Sequence, residues 1–157
     1  MRCWPSALSL LLLAAAAQAG EVALAQATLE RHTLNARFEV SLSDTVSNAL
    51  DRGIDLSFSF QVRGAQPREN PQSRLSYQPL IRRYVLQRGS STQAFALKGS
   101  ALRALGRFDD VVLASDPPAA ALTLRLKLDR SELPAPLRLP AYLSSDWRLD
   151  SGWVGLK

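Results

Sequence analysis

The stretch from Arg63 to Arg88 holds the side chains best suited to specific chemistry. It carries Arg63, Arg68, Arg74, Arg82, Arg83 and Arg88 against a single carboxylate, Glu69. Guanidinium groups take carboxylates and phosphates through paired, planar hydrogen bonds that an ammonium does not match. If Arg74, Arg82, Arg83 and Arg88 stand on adjacent strands, they form one patch beside Tyr77 and Tyr84. Such a patch suits an acidic protein face or anionic lipid head groups. The competing reading is an ordinary solvated sheet face.

Other chemistries are poorly supplied. His32 is the only histidine, and zinc or proton-transfer work would need partners the chain lacks. A serine triad would have to use His32, and there is no Gly-x-Ser-x-Gly elbow. Asp109, Asp110 and Asp116 do not follow calcium-loop spacing and run into Pro117-Pro118, so they read as a solvated acidic loop. Asp44, Asp51 and Asp55 flank a short helix and are explained by capping and surface charge. No glycine-rich phosphate loop occurs. The chain is expected to be no enzyme and to need no cofactor.

The elements that must position these residues are mostly strands, because apolar residues recur at every second position. Ile54, Leu56, Phe58, Phe60 and Val62 alternate with polar residues, as do Leu122, Leu124, Leu126 and Leu128. Leu34 to Val40 forms a third strand, and Val22 to Arg31 a first. Leu75 and Tyr77 lie in a short one. Arg82 to Arg88 is another, apolar on both faces at Tyr84-Val85-Leu86, which suggests a helix packed over it. Thr92 to Leu97 pairs with it across Gly89-Ser90-Ser91. Leu137 to Leu143 reads as a last strand, pushed to an edge by Pro140.

Two short helices interrupt the strands. Ser43 caps the first, Val46, Ala49 and Leu50 face inward, and Gly53 stops it. The second runs from Gly99 or Ser100 to Leu105, with Leu102 and Leu105 inward and Gly106 as its stop. Gly64 to Ser73 and Ala114 to Ala121 read as loops. Trp147 and Trp153 either anchor the tail or expose a recognition surface.

The compartment follows from the N-terminus. Arg2, the apolar run Ala7 to Ala17, and Ala17-Gln18-Ala19 before Gly20 have the layout of a cleavable signal peptide over residues 1–19. The run falls well short of the roughly 20 residues of a spanning helix, so an uncleaved anchor is the alternative. Cleavage removes Cys3, the only cysteine, and with it disulfide and thiol chemistry. Periplasm or cell envelope is the expected location, and export disfavours nucleic acid as a partner.

The order of several segments is similar to that of a known family. Leu34-Asn35-Ala36-Arg37-Phe38 leads to Ser43–Gly53, then come Arg74-Leu75-Ser76-Tyr77, Arg82-Arg83-Tyr84 and Ala101-Leu102-Arg103-Ala104-Leu105. Leu122 to Asp129 then leads to Ser131-Glu132-Leu133-Pro134-Ala135-Pro136-Leu137 and Ser145-Asp146-Trp147. This resembles an uncharacterised family of exported Gram-negative bacterial proteins, domain of unknown function number 4390. The resemblance supplies no catalytic residues. It implies a gene neighbourhood that often includes a two-component sensor kinase. Relatives carry a tryptophan-rich hairpin where this chain has Gly64 to Ser73, so no aromatic binding role carries over to that loop.

Together these features predict a signal peptide over 1–19 and a single β-rich domain over 20–157. The expected fold is an antiparallel sandwich or partly open barrel of seven or eight strands with two short helices. An α+β sheet with both helices on one face is the alternative. The expected function is a non-catalytic protein-interaction module of the envelope, accessory to a membrane sensor kinase. The alternative is a periplasmic carrier or sensor holding a lipid or small apolar ligand between the Leu and Phe stripes.

Overall fold

The structure, a computed structural model, describes residues 19–69 and 71–156. The expected leader therefore lies, except for Ala19, outside the described residues. In chain order the elements are β1 (Glu21–Glu30), β2 (Thr33–Ser41), α1 (Asp44–Asp51), β3 (Leu56–Arg63), β4 (Gln72–Gln78) and β5 (Arg83–Arg88). They continue with β6 (Ser91–Phe95), α2 (Lys98–Leu105), β7 (Arg107–Val112), β8 (Thr123–Leu128), α3 (Ala135–Leu143) and β9 (Val154–Gly155). The strands form two antiparallel sheets, β1-β2-β7 and β6-β5-β4-β3-β8-β9. Neither closes into a barrel, and the fold is mainly β and sandwich-like. Among the described residues no helix is long and apolar enough to cross a membrane.

The alternating stripes account for how the sheets meet. Phe58, Phe60 and Val62 of β3 stand opposite Leu128, Leu126 and Leu124 of β8 in the ladder, so both stripes share one face. Leu34, Ala36 and Phe38 of β2 face them from the smaller sheet and are buried. Phe60 stacks on Phe108 of β7 with centroids 4.3 Å apart, and Phe38 meets each edge-on at 5.9 and 6.1 Å. Both arrangements are favoured by the aromatic quadrupole.

The three-stranded sheet cannot cover six strands, so helices take over part of the inner face. Ser43 caps α1, its Oγ accepting from the Val46 N–H at 3.3 Å while donating to the Asp146 carbonyl at 2.9 Å. Gly53 follows the helix at φ +89°, in the left-handed region that glycine enters without strain. After α2, the Phe38 N–H bonds to the Gly106 carbonyl at 2.8 Å. A Cβ on Gly106 would stand 2.0 Å from the Phe38 carbonyl oxygen, so only glycine lets the helix end dock against β2. Trp147 is buried and Trp153 lies beneath the Arg63 guanidinium at 4.0 Å, so both anchor the tail.

The structure departs from the expected elements in several places. Leu137 to Leu143 is not a strand but part of α3. Its apolar alternation would have buried Leu139 and Leu143, which are instead 68% and 80% exposed, while Ala141 is buried at helical spacing from Leu137. Pro136 in the first turn is compatible with a helix start, and the helix is short enough for Pro140 to interrupt a single internal bond. β7 was not expected. Asp109 and Asp110 together face Asn35 in a bulge, with Asp110 at φ +58° and its N–H bonded to Asn35 Oδ1 at 2.8 Å. The extra residue breaks the period of two that would have revealed the strand. Arg82 precedes β5 in a turn rather than opening the strand, and Leu97 belongs to the start of α2 rather than to β6.

Ser43→Ala should lower stability by about 1–2 kcal/mol, because it removes both the cap and the tie to Asp146. Thr45→Ala, which deletes only an exposed bond to Asp146, should change it by less than about 0.5 kcal/mol. Urea unfolding midpoints at constant slope check the pair.

Candidate functional site

Strand parity decides where the arginine patch goes. In the β4–β5 ladder Tyr77 faces Tyr84, Leu75 faces Leu86, and Ser73 faces Arg88. Leu75 and Leu86 are buried, so this is the inner face. Arg74 faces Gln87 and Gln78 faces Arg83 on the opposite, solvent side. The structure therefore divides the expected patch in three. Arg88, Tyr77 and Tyr84 point inward, Arg74 and Arg83 point outward, and Arg82 sits in the turn before β5 with φ +51°. Arg83 and Arg88 also lie at opposite ends of one strand, roughly 17 Å apart.

Arg88 is the most constrained of the six residues. Its Nε donates to Ser73 Oγ at 2.8 Å, Nη1 to the Arg107 carbonyl at 2.6 Å, and Nη2 to the Leu105 carbonyl at 2.9 Å. The guanidinium carbon stands 4.2 Å over the Phe108 ring. It thus caps the last turn of α2, where the helix dipole favours a cation. Burial lowers its pKa from the ordinary arginine value, and Asp109 partly opposes that shift.

The tyrosines form a second constrained group. Their rings lie 4.8 Å apart across the strands. Tyr84 donates to Asp51 Oδ1 at 2.8 Å, and Lys98 Nζ donates to Asp51 Oδ2 and to Ser47 Oγ, each at 2.6 Å. This network ties β5 to the end of α1 and the start of α2. Burial, followed by the hydrogen bond to Asp51, its charge and Tyr77, pushes the Tyr84 pKa up to about 12. Burial pushes Asp51 up as well, but the hydrogen bonds from Lys98 and Tyr84 and the Lys98 charge outweigh it, leaving the carboxyl below its usual range.

The remaining candidates are scattered. Arg74 is about half exposed and reaches Glu132 at 4.0 Å. His32 is exposed in the β1–β2 turn. Asp109 lies 3.9 Å from Arg107 on β7. Among the described residues no group of three or more His, Cys, Asp or Glu side chains is placed to hold a metal. An ion pair missed by sequence reasoning joins Arg125 to Asp150, with Nε to Oδ1 at 2.8 Å and a second bond from Nη2 to Oδ2. It holds the Asp150 carboxyl below its ordinary range, first through those hydrogen bonds.

Two antiparallel sheets bridged by short helices, with arginine placed both inside and at the strand ends, define an antiparallel β-sheet module. The chain belongs to the family described as domain of unknown function DUF4390, whose model matches residues 14–157. No curated protein and no solved structure was found to match it.

Arg88→Met keeps the stem but strips the guanidinium from the Leu105 and Arg107 carbonyls. The Leu105 carbonyl is part-buried and the Arg107 carbonyl exposed, so water replaces only one of the two bonds freely and a loss of about 1–2 kcal/mol is expected, against less than about 0.5 kcal/mol for Arg74→Met. Denaturant titration of the two variants checks the division of the patch. The raised Tyr84 pKa means that its stabilising contribution is complete below pH 10 and lost as the pH rises through about 12. Ultraviolet titration should show Tyr84 ionising near pH 12. Asp51→Asn should lower that value but leave it above 10, because burial remains.

Proposed function

We propose that this protein is a non-catalytic exported module that docks another envelope protein through the turn between β4 and β5. The observation that carries the reading is the composition and exposure of that turn. Leu80 is 100% and Ile81 56% exposed, and Arg82 and Arg83 follow immediately, both exposed. Leu97, 69% exposed, lies beyond Phe95, the partner of Tyr84, and so sits at the same end of the sheet. An apolar tip flanked by guanidinium groups matches a partner with an apolar groove and an acidic rim. The tip is held from behind by the Tyr77–Tyr84 pair and the Asp51–Lys98 bond, so little ordering entropy opposes docking.

Export is supported by the leader-like sequence of residues 1–19. The non-catalytic reading is supported by the scarcity of catalytic residue types, with His32 the only histidine and Cys3 the only cysteine. The natural partner in this reading is the extracytoplasmic portion of a membrane sensor kinase.

A photo-reactive amino acid in place of Leu80 should cross-link in intact cells to one such sensor. Arg82→Glu combined with Arg83→Glu should cut the yield at least about tenfold with an unchanged melting temperature. Full yield in the charge-reversed protein, or cross-linking to lipid in place of protein, would overturn the assignment.

A further inference from the structure

The inner face of β5 and β6 is the part of the large sheet that the small sheet does not reach. α2 spans it incompletely and leaves a cleft of about 900 Å3 between itself, β6 and β2. That lies within the range of about 300–1,000 Å3 typical of small-molecule sites. The cleft has two unlike ends, and the strand register orders them. Towards the start of α2 and the end of β6, the lining is apolar, with Phe95, Leu102 and Val40. Phe38 and Leu86 form its buried floor.

Towards the end of α2, Arg37, Arg88 and Arg107 line the same cleft, and Arg103 lines it further up the helix, where its Nη2 donates to Ser100 Oγ at 3.2 Å. Glu39 and Asp109 are the carboxylates that oppose them there. Arg37 and Arg107 stand directly opposite each other in the β2–β7 ladder. Like charges in that position are destabilising. Arg88 takes part in none of the ion pairs formed among the described residues, so its close partners are carbonyls, a hydroxyl and an aromatic face, with Asp109 acting only from a distance. An anion placed among these groups would relieve the repulsion and add to the counter-charge of Asp109 and Glu39. An apolar chain on the same molecule would fill the other end.

We infer that the cleft binds a monomeric single-chain anionic amphiphile. Its carboxylate or phosphate head lies between Arg37 and Arg107, and its chain runs along Phe38, Leu86, Leu102 and Phe95. A purely polar anion would leave the apolar end in water, and a neutral lipid would leave the arginines uncompensated. The arginine end of the cleft lies at the far end of β5 from the docking turn, and Arg82 and Arg83 do not line the cleft, so substitutions at the two sets of arginines separate the activities.

The test is calorimetric titration of the purified chain with decanoate and with decyl phosphate, both below their micelle concentrations. 1-Decanol and inorganic phosphate serve as half-ligand controls. One saturating equivalent of either amphiphile is expected, with 1-decanol and phosphate at least about tenfold weaker. Preference between the two heads tells a fatty-acid source from a phospholipid-derived one. Arg37→Gln with Arg107→Gln should weaken the anion at least about tenfold while leaving the melting temperature equal or higher, since a repulsive pair is removed. Leu102→Trp, which fills the apolar end, should abolish uptake in a protein that still melts cooperatively. The inference is overturned if 1-decanol binds as tightly as decanoate, if neither amphiphile binds, or if the double arginine variant binds unchanged.

Discussion

Arg88 leaves the end of β5 and turns inward under α2, and much of the architecture is arranged around its guanidinium. One side chain contacts β4 through Ser73, the last turn of α2 through the Leu105 carbonyl, and the start of β7 through the Arg107 carbonyl. It also lies on Phe108, whose ring stacks against Phe60 of the opposite sheet. A desolvated cation is expensive unless its donors are used. Here they are met by carbonyl dipoles, by the negative end of a helix, and by the face of an aromatic ring. Removing a neighbour would leave the charge uncompensated, and removing the charge would leave the carbonyls unpaired. The cost of either error fixes the relative placement of both sheets and α2.

That placement in turn sets the docking turn at one end of β5 and the arginine end of the cleft at the other. At the strand's start, Tyr84, Asp51 and Lys98 join β5 to both helices and hold the preceding turn forward. At its end, Arg88 draws down the C-terminus of α2 and leaves the helix spanning from one sheet towards the other. The cleft is the space left where α2 bridges two surfaces it cannot fill. Gly106 makes this bridging geometry attainable, since no larger residue could bring the helix end against the Phe38 backbone.

The sequence disclosed those parts of the fold that obey a single local rule. β3 and β8 are legible because each keeps a strict period of two, and α1 because Ser43 and Gly53 mark its ends. β7 was hidden by one bulged residue, and α3 by apolar spacing that fits a strand as well as a helix. The error over the arginines is of another kind. A single patch treats proximity in sequence as proximity in space, although strand parity carries the correction. Arg88 is two residues from Leu86, which must be buried, whereas Arg83 is three residues from it and Arg74 is one from Leu75. Counting along the pleat separates inward from outward arginines without any structure. What no counting could supply is the cleft, which exists only because α2 comes to rest across two sheets distant in sequence.

A distinction between structural and spare charge follows from these contacts. The fold requires Arg88, because its donors satisfy backbone groups that nothing else reaches. It does not require Arg37, Arg103 or Arg107, which are exposed and whose side chains cap no helix and bridge no sheets. Arg37 and Arg107 even oppose each other across a ladder where a neutral pair would be more stable. Stability alone would favour dispersing these charges, yet they line an apolar cleft that already carries the half-buried Arg88. A local cost in repulsion combined with convergence on a concave surface is the electrostatic pattern of a preorganised anion site, where the repulsion present in the free protein becomes attraction in the bound one.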